Sequence, residues 1–169
     1  IGFVLENLKF VKSSIFGDLK LYSGEWLIKE DLKIYITIGW SGWGKVSAAR
    51  ATTRLLATTY NNYPIDFIFF TGVAGAVNKK LNQWDVVISE SLIQHDMDAR
   101  PIFEKYTIPS LNKDKIFANN KILEKVFSSL KEKFMQQKDK TFGTLHKGLI
   151  GTGDMFISDR KKIEVLLKE

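Results

Sequence analysis

Four stretches of the chain carry residue types and spacings that could do chemistry. Gly39-Trp40-Ser41-Gly42-Trp43-Gly44-Lys45 is a glycine-rich turn ending in a lysine. That is the spacing of a loop whose backbone N–H groups wrap phosphates. Thr71-Gly72-Val73-Ala74-Gly75 follows an unbroken apolar run, and its glycines let the backbone come close to a ligand. His95-Asp96-Met97-Asp98 sets an imidazole beside two carboxylates. Gly151-Thr152-Gly153-Asp154-Met155-Phe156-Ile157 places an aromatic ring just beyond a glycine pair.

Each stretch has a plainer reading. In the first, Val46 stands where a Ser or Thr would bind Mg²⁺, and two tryptophans crowd the loop. No later strand ends in an obvious magnesium-holding Asp, which argues against an NTPase. His95 and its two aspartates lack a second anchoring cluster, so no metal site is assigned, and His95 is read as a hydrogen-bonded or interface residue. Phe156 could be core packing, but its glycine-rich setting favours a platform for a flat ligand. Trp43, in a turn beside glycines, is harder to explain as core. His146 receives no function, and Lys161-Lys162 is read as a solvated helix face.

The elements that must position these residues follow from periodicity. Val4, Leu5, Leu8 and Val11 make a helical stripe within 1–14. Leu19 to Ile28 alternates and reads as a strand, turning at Asp31-Leu32 into a second strand from Lys33 to Ile38. The glycine-rich loop then feeds a helix from Val46 to Tyr60, stopped by Asn61, Asn62 and Pro64. Ile65 to Phe70 reads as a strand buried on both faces, the element on which the rest is centred. Further strands are expected at Asp85–Ser91 and Phe142–Ile150. Asn119 or Asn120 can cap a helix striped by Leu123, Phe127, Leu130 and Phe134, and Ser158 or Asp159 can cap a last one.

Bulk properties bound the class. The 169 residues suit one domain, 44% hydrophobic and 26% charged. The absence of cysteine excludes disulfides and thiolate metal sites. Lysines carrying the net charge of +6 are scattered, which reads as a solvated surface and not a nucleic-acid site. No apolar run reaches membrane length and no signal pattern opens the chain, so a cytoplasmic location is expected, with a removed export signal left open.

Taken in order, Ser41–Val46, Thr71–Gly75, Asp85-Val86-Val87-Ile88-Ser89, His95–Asp98 and Gly151–Ile157 resemble the bacterial 5′-methylthioadenosine/S-adenosylhomocysteine nucleosidases of the purine nucleoside phosphorylase superfamily. The resemblance runs from about Tyr22 to the C-terminus. It implies an α/β, three-layer fold with a mixed central sheet flanked by helices, a homodimer, and no metal or cofactor. It also implies hydrolysis that releases adenine and a thio-ribose, within methionine salvage. By position, Val73, Ala74 and Gly75 would line the ribose and purine. Phe156 would stack on adenine, the Ile157 backbone would bond the base, and Trp43 would sit by the 5′-thio substituent. Phe103 and Pro109 would be lent to the partner subunit's pocket.

The chain departs from that pattern in two respects. Val73 replaces a common Ser, removing a hydroxyl near the ribose. The family's catalytic Glu and Asp, and a ribose-binding Glu-Met-Glu segment, are not among residues 1–169, so no catalytic residue is assigned. The expectation is that residues 1–169 are a single domain belonging to a longer protein, without its first strand and loop and its C-terminal portion. Two alternatives stay open: a nucleoside phosphorylase, and a nucleoside-binding protein of the same fold without chemistry. Against the first, Phe70 stands where phosphorylases hold a phosphate-binding arginine.

Overall fold

The computed structural model describes every residue except Thr59, Asn61, 138–140 and Glu169. The chain divides into two compact units, Ile1–Thr71 and Gly72–Glu169.

In the first unit, α1 (Gly2–Asn7) leads into β1 (Lys9–Phe16), β2 (Leu19–Lys29) and β3 (Leu32–Gly39), and α2 (Lys45–Leu56) follows. The strands form one antiparallel sheet in the order β1-β2-β3. The alternation expected in β2 holds: Leu19, Leu21 and Ser23 point inward, while Lys20 stays exposed. Leu19 and Leu21 close a small core with Ala51 of α2, and Phe16 and Leu55 pack against it. Gly39 lies directly over that core, where a Cβ would stand 2.4 Å from Leu21 Cδ2. Arg50 of α2 is salt-bridged to Asp18 at 2.5 Å, and the Arg54 guanidinium lies 3.2 Å from the Phe16 ring centroid.

Two expectations fail in this unit. The helical stripe over 1–14 ends at Asn7, and Leu8 is extended at φ −85° and ψ 138°. From Lys9 onward the chain pairs with β2 across a turn at Gly17-Asp18, with Phe16 opposite Leu19. Val11 fits a period of 3.6 and a period of 2 equally, and the ladder decides between them. The second failure is the central strand. Among the described residues, 65–70 joins neither sheet, and Phe67, Ile68, Phe69 and Phe70 are exposed. A strand buried on both faces needs a sheet to join and a layer on each face, and among the described residues this run pairs with no strand while β3 pairs with β2. The helix read as reaching Tyr60 closes earlier, at Leu56; its expected stop Asn61 lies outside the described residues.

The second unit is built on a parallel pair. β4 (Val86–Gln94) runs alongside β6 (Leu145–Thr152), and the short β5 (Lys115–Phe117) adds an antiparallel edge, giving the order β5-β4-β6. Between them, α3 (Asn120–Gln136) packs on both β4 and β6. Asn119 caps it, its side-chain oxygen accepting from the N–H groups of Lys121 and Ile122 at 3.1 and 3.3 Å. The expected stripe is the inward one: Leu123 is buried, and Phe127, Leu130 and Phe134 are half-buried. Lys147 of β6 fixes the helix further, bonded to Glu124 at 2.5 Å with its Nζ 4.5 Å from the Phe127 ring centroid. The last helix, α4 (Arg160–Lys168), begins at Asp159, whose carboxylate accepts from the Lys161 N–H at 2.9 Å. Glu169, expected inside it, lies outside the described residues.

Candidate functional site

β4 and β6 run in the same direction, so the segments that leave their carboxyl ends emerge side by side. In open α/β sheets ligands bind beyond those ends. From β4 come Gln94, His95, Asp96 and Met97; from β6 come Thr152, Gly153, Asp154, Met155, Phe156 and Ile157. Gln94 lies opposite Thr152 in the ladder. One step on, the His95 N–H donates to the Thr152 carbonyl at 3.0 Å. Next, the Asp154 N–H donates to Asp96 Oδ2 at 2.8 Å. The His95 ring lies close to both glycines: a Cβ on Gly153 would fall 2.4 Å from its Nε2, and one on Gly151 would fall 3.7 Å from its Cδ2. A side chain at 153 would have to displace the His95 ring and press on Asp96, so glycine lets the two segments approach this closely.

Phe156, three residues beyond this junction, is 88% exposed, and Ile157 is half-buried. An exposed aromatic ring held next to an anchored turn suits a flat heteroaromatic ligand, and the backbone beyond it offers donors and acceptors to a base edge. Val73, Ala74 and Gly75 also stand open to solvent, and a Cβ on Gly75 would have nothing within 4 Å. Phe103 is half-buried and Pro109 exposed, in a turn-rich stretch tied back to the β4 end by the Tyr106 N–H, which donates to the Met97 carbonyl at 2.9 Å. Trp43 belongs to the first unit, 86% exposed in the turn where Gly42 and Gly44 take φ of 82° and 87°. A depression of about 320 Å³ in that unit, lined by Phe16, Leu19, Arg50, Thr53, Arg54 and Ala57, holds none of these residues.

The amino ends of the parallel pair hold a second junction that sequence reasoning missed. Asp85, its side chain 5% exposed, accepts from the Thr144 N–H at 2.7 Å and the Asn82 N–H at 3.0 Å. His146 Nε2 completes the set at 3.0 Å. These backbone N–H groups first, and His146 after them, hold the Asp85 carboxyl below the usual carboxylate range. His146, to which the sequence assigns no function, is 31% exposed at its side chain and partnered by Asp85. Among the described residues no three His, Asp or Glu side chains converge as metal ligands, and no helix is long and apolar enough to cross a membrane.

Residues 4–169 match the model of the phosphorylase superfamily. The 5′-methylthioadenosine/S-adenosylhomocysteine nucleosidase of Staphylococcus aureus is 36% identical over 97% of this chain and 69% of its own length. The chain belongs to this nucleosidase family of the phosphorylase superfamily. Among solved nucleosidases, that of Neisseria meningitidis, in complex with methylthio-immucillin-A, superposes with a TM-score of 0.79 at 25% identity, covering 99% of this chain and 66% of its own. The enzyme of Colwellia psychrerythraea, in complex with adenine, shares the fold with a TM-score of 0.74 at 24% identity over 97% of this chain and 62% of its own. The chain therefore spans about two thirds of these family members, and its α/β elements are those of the nucleosidase fold.

Proposed function

We propose that this protein hydrolyses the N-glycosidic bond of 5′-methylthioadenosine and S-adenosylhomocysteine, releasing adenine and the thio-ribose. The observation that carries this reading is the 36% identity to the Staphylococcus aureus nucleosidase, sustained over 97% of the chain. Phe156 stacks on adenine, the Ile157 backbone reads its edge, and Val73, Ala74 and Gly75 cover the ribose and purine. The exposure of Phe156 at the strand ends supports that role. Phe103 and Pro109 are lent to the pocket of a second subunit in a cytoplasmic homodimer, for which light scattering should return about twice the mass of one subunit.

Such a cleavage passes through an oxocarbenium-like transition state, as in other glycoside hydrolyses. Adenine leaves once protonated, while a carboxylate deprotonates water on the opposite face of the sugar. Each proton transfer contributes about 10²–10⁴-fold. Water is the nucleophile, and neither metal nor cofactor is needed. A phosphorylase would need a cation for phosphate, and the exposed Phe70 ring offers none where that arginine would stand.

The test is release of adenine from methylthioadenosine in phosphate-free buffer, followed by chromatography. Adenine without phosphate supports hydrolysis. Release only on adding phosphate would identify a phosphorylase instead. Tight binding of substrate with no release under either condition would leave a nucleoside-binding protein.

A further inference from the structure

Asp96 has no role in the reaction just proposed, yet it accepts the Asp154 N–H where the segment bearing Phe156 departs from β6. We infer that Asp96 is a positioning residue, which sets the base-reading backbone at 154–157 and so determines selectivity for adenine. The inference rests on the nucleosidase reading of that segment.

Three observations converge. The ladder between β4 and β6 ends at Gln94 and Thr152, and the His95 N–H extends it by one bond to the Thr152 carbonyl at 3.0 Å. Beyond that point regular pairing stops, and the Asp154 N–H takes Asp96 Oδ2 at 2.8 Å in place of a strand partner. Gly153, between them, is so close that a Cβ would come within 2.4 Å of His95 Nε2 and 3.0 Å of Asp96 Cγ. At Gly153 the chain thus passes close to both the imidazole and the carboxylate, and one residue on it is bonded to that carboxylate. Phe156 and Ile157 follow within a turn's length, so a shift at Asp154 moves the ring and the base-bonding backbone together. The β4 segment reaches the other proposed pocket stretch as well, since the Met97 carbonyl accepts from the Tyr106 N–H at 2.9 Å.

An N–H donated to a carboxylate is among the stronger hydrogen bonds, so its loss should cost about tenfold in the affinity that depends on it. The experiment is calorimetric titration of the full chain with adenine and with hypoxanthine, which differ at the base edge that the Ile157 backbone would read. For Asp96→Ala we expect adenine affinity to fall about tenfold and the preference over hypoxanthine to fall with it. Asp96→Asn keeps an acceptor oxygen and should stay within about threefold of wild type. Gly153→Ala, which displaces both His95 and Asp96 without changing charge, should reproduce the Ala phenotype and serves if Asp96→Ala does not fold. Unchanged selectivity in Asp96→Ala and Gly153→Ala overturns the inference, as does an Asn variant that behaves like Ala. Equal loss for both bases alongside a lowered unfolding midpoint also overturns it, because that is general destabilisation. A wild type that binds neither adenine nor methylthioadenosine is a separate outcome, and it removes the nucleosidase reading itself.

Discussion

Asp85 and His146 meet at 3.0 Å across the first rung of the parallel pair, where Val86 lies opposite Leu145. Parallel strands are not joined by a hairpin, so nothing local fixes their register. The Asp85 carboxylate supplies what a turn would: it binds the Thr144 N–H and the His146 ring on β6's side and the Asn82 N–H on its own. With the Asp96–Asp154 bond at the far end, the two strands are clamped at both ends.

The lower clamp should show in the pH dependence of stability. The N–H of Asn82, then that of Thr144, depress the Asp85 carboxyl in the folded state. A carboxyl so depressed stabilises the fold above its unfolded pKa of about 3.9, and that contribution disappears as pH falls through the lower folded value. Asp85→Asn has nothing to titrate there. Its melting temperature should lie below wild type at pH 7, and the gap should narrow at pH below about 4. Asp98, which Arg100 lowers to about 2, titrates in both proteins and cancels in the difference. A gap of equal size at pH 7 and pH 3 would show that Asp85 acts by shape alone.

In the first unit, stability should centre on Leu21, which is fully buried between Leu19 and Ala51. Leu21→Ala should cost about 2–5 kcal/mol, by lost burial and a residual cavity. Gly39→Ala tests the same spot from outside, since its methyl would press on Leu21 Cδ2, and about 1–3 kcal/mol is expected from overpacking. Urea titration of each variant reads both values. If Gly39→Ala matched wild type, the close packing of β3 on Leu21 would be disproved.

Local signals were legible in the sequence, and long-range pairing was not. Alternation in β2, the Asn119 cap and the inward stripe of α3 depend on neighbours a few residues away, and each was found where expected. The run from Ile65 to Phe70 declared only that it is apolar; which strand should pair with it is not written in the run itself. The three residues of β5 are too few for any period to register. At the site, the aromatic ring and the glycines could be picked out by type. That a side chain at 153 would meet the His95 ring emerges only when β4 and β6 lie in register. His146 looked idle for the same reason: its partner is 61 residues away.

Phe156 separates a ligand platform from core packing. Its ring is 88% exposed, so Phe156→Ala should move the unfolding midpoint by no more than about 0.5 kcal/mol, the range of ordinary surface changes. Stacking of a base on an aromatic ring is worth about 1–3 kcal/mol, so affinity for adenine should fall about 5- to 150-fold. Calorimetry with adenine, beside a melt of the same sample, reads both quantities. A destabilised variant with unchanged affinity would return Phe156 to the core.

Val73 offers a test that can gain function. Its side chain is fully exposed, so a buried polar group is not created by Val73→Ser and stability should stay within about 0.5 kcal/mol. If this stretch lines the ribose, a hydroxyl there can bond the sugar, and one neutral hydrogen bond contributes about 0.5–1.5 kcal/mol. Methylthioadenosine should then bind about 2- to 12-fold more tightly while free adenine, having no sugar, binds as before. Equal changes for both ligands would mean that residue 73 affects the pocket indirectly. No change for either would place the ribose elsewhere.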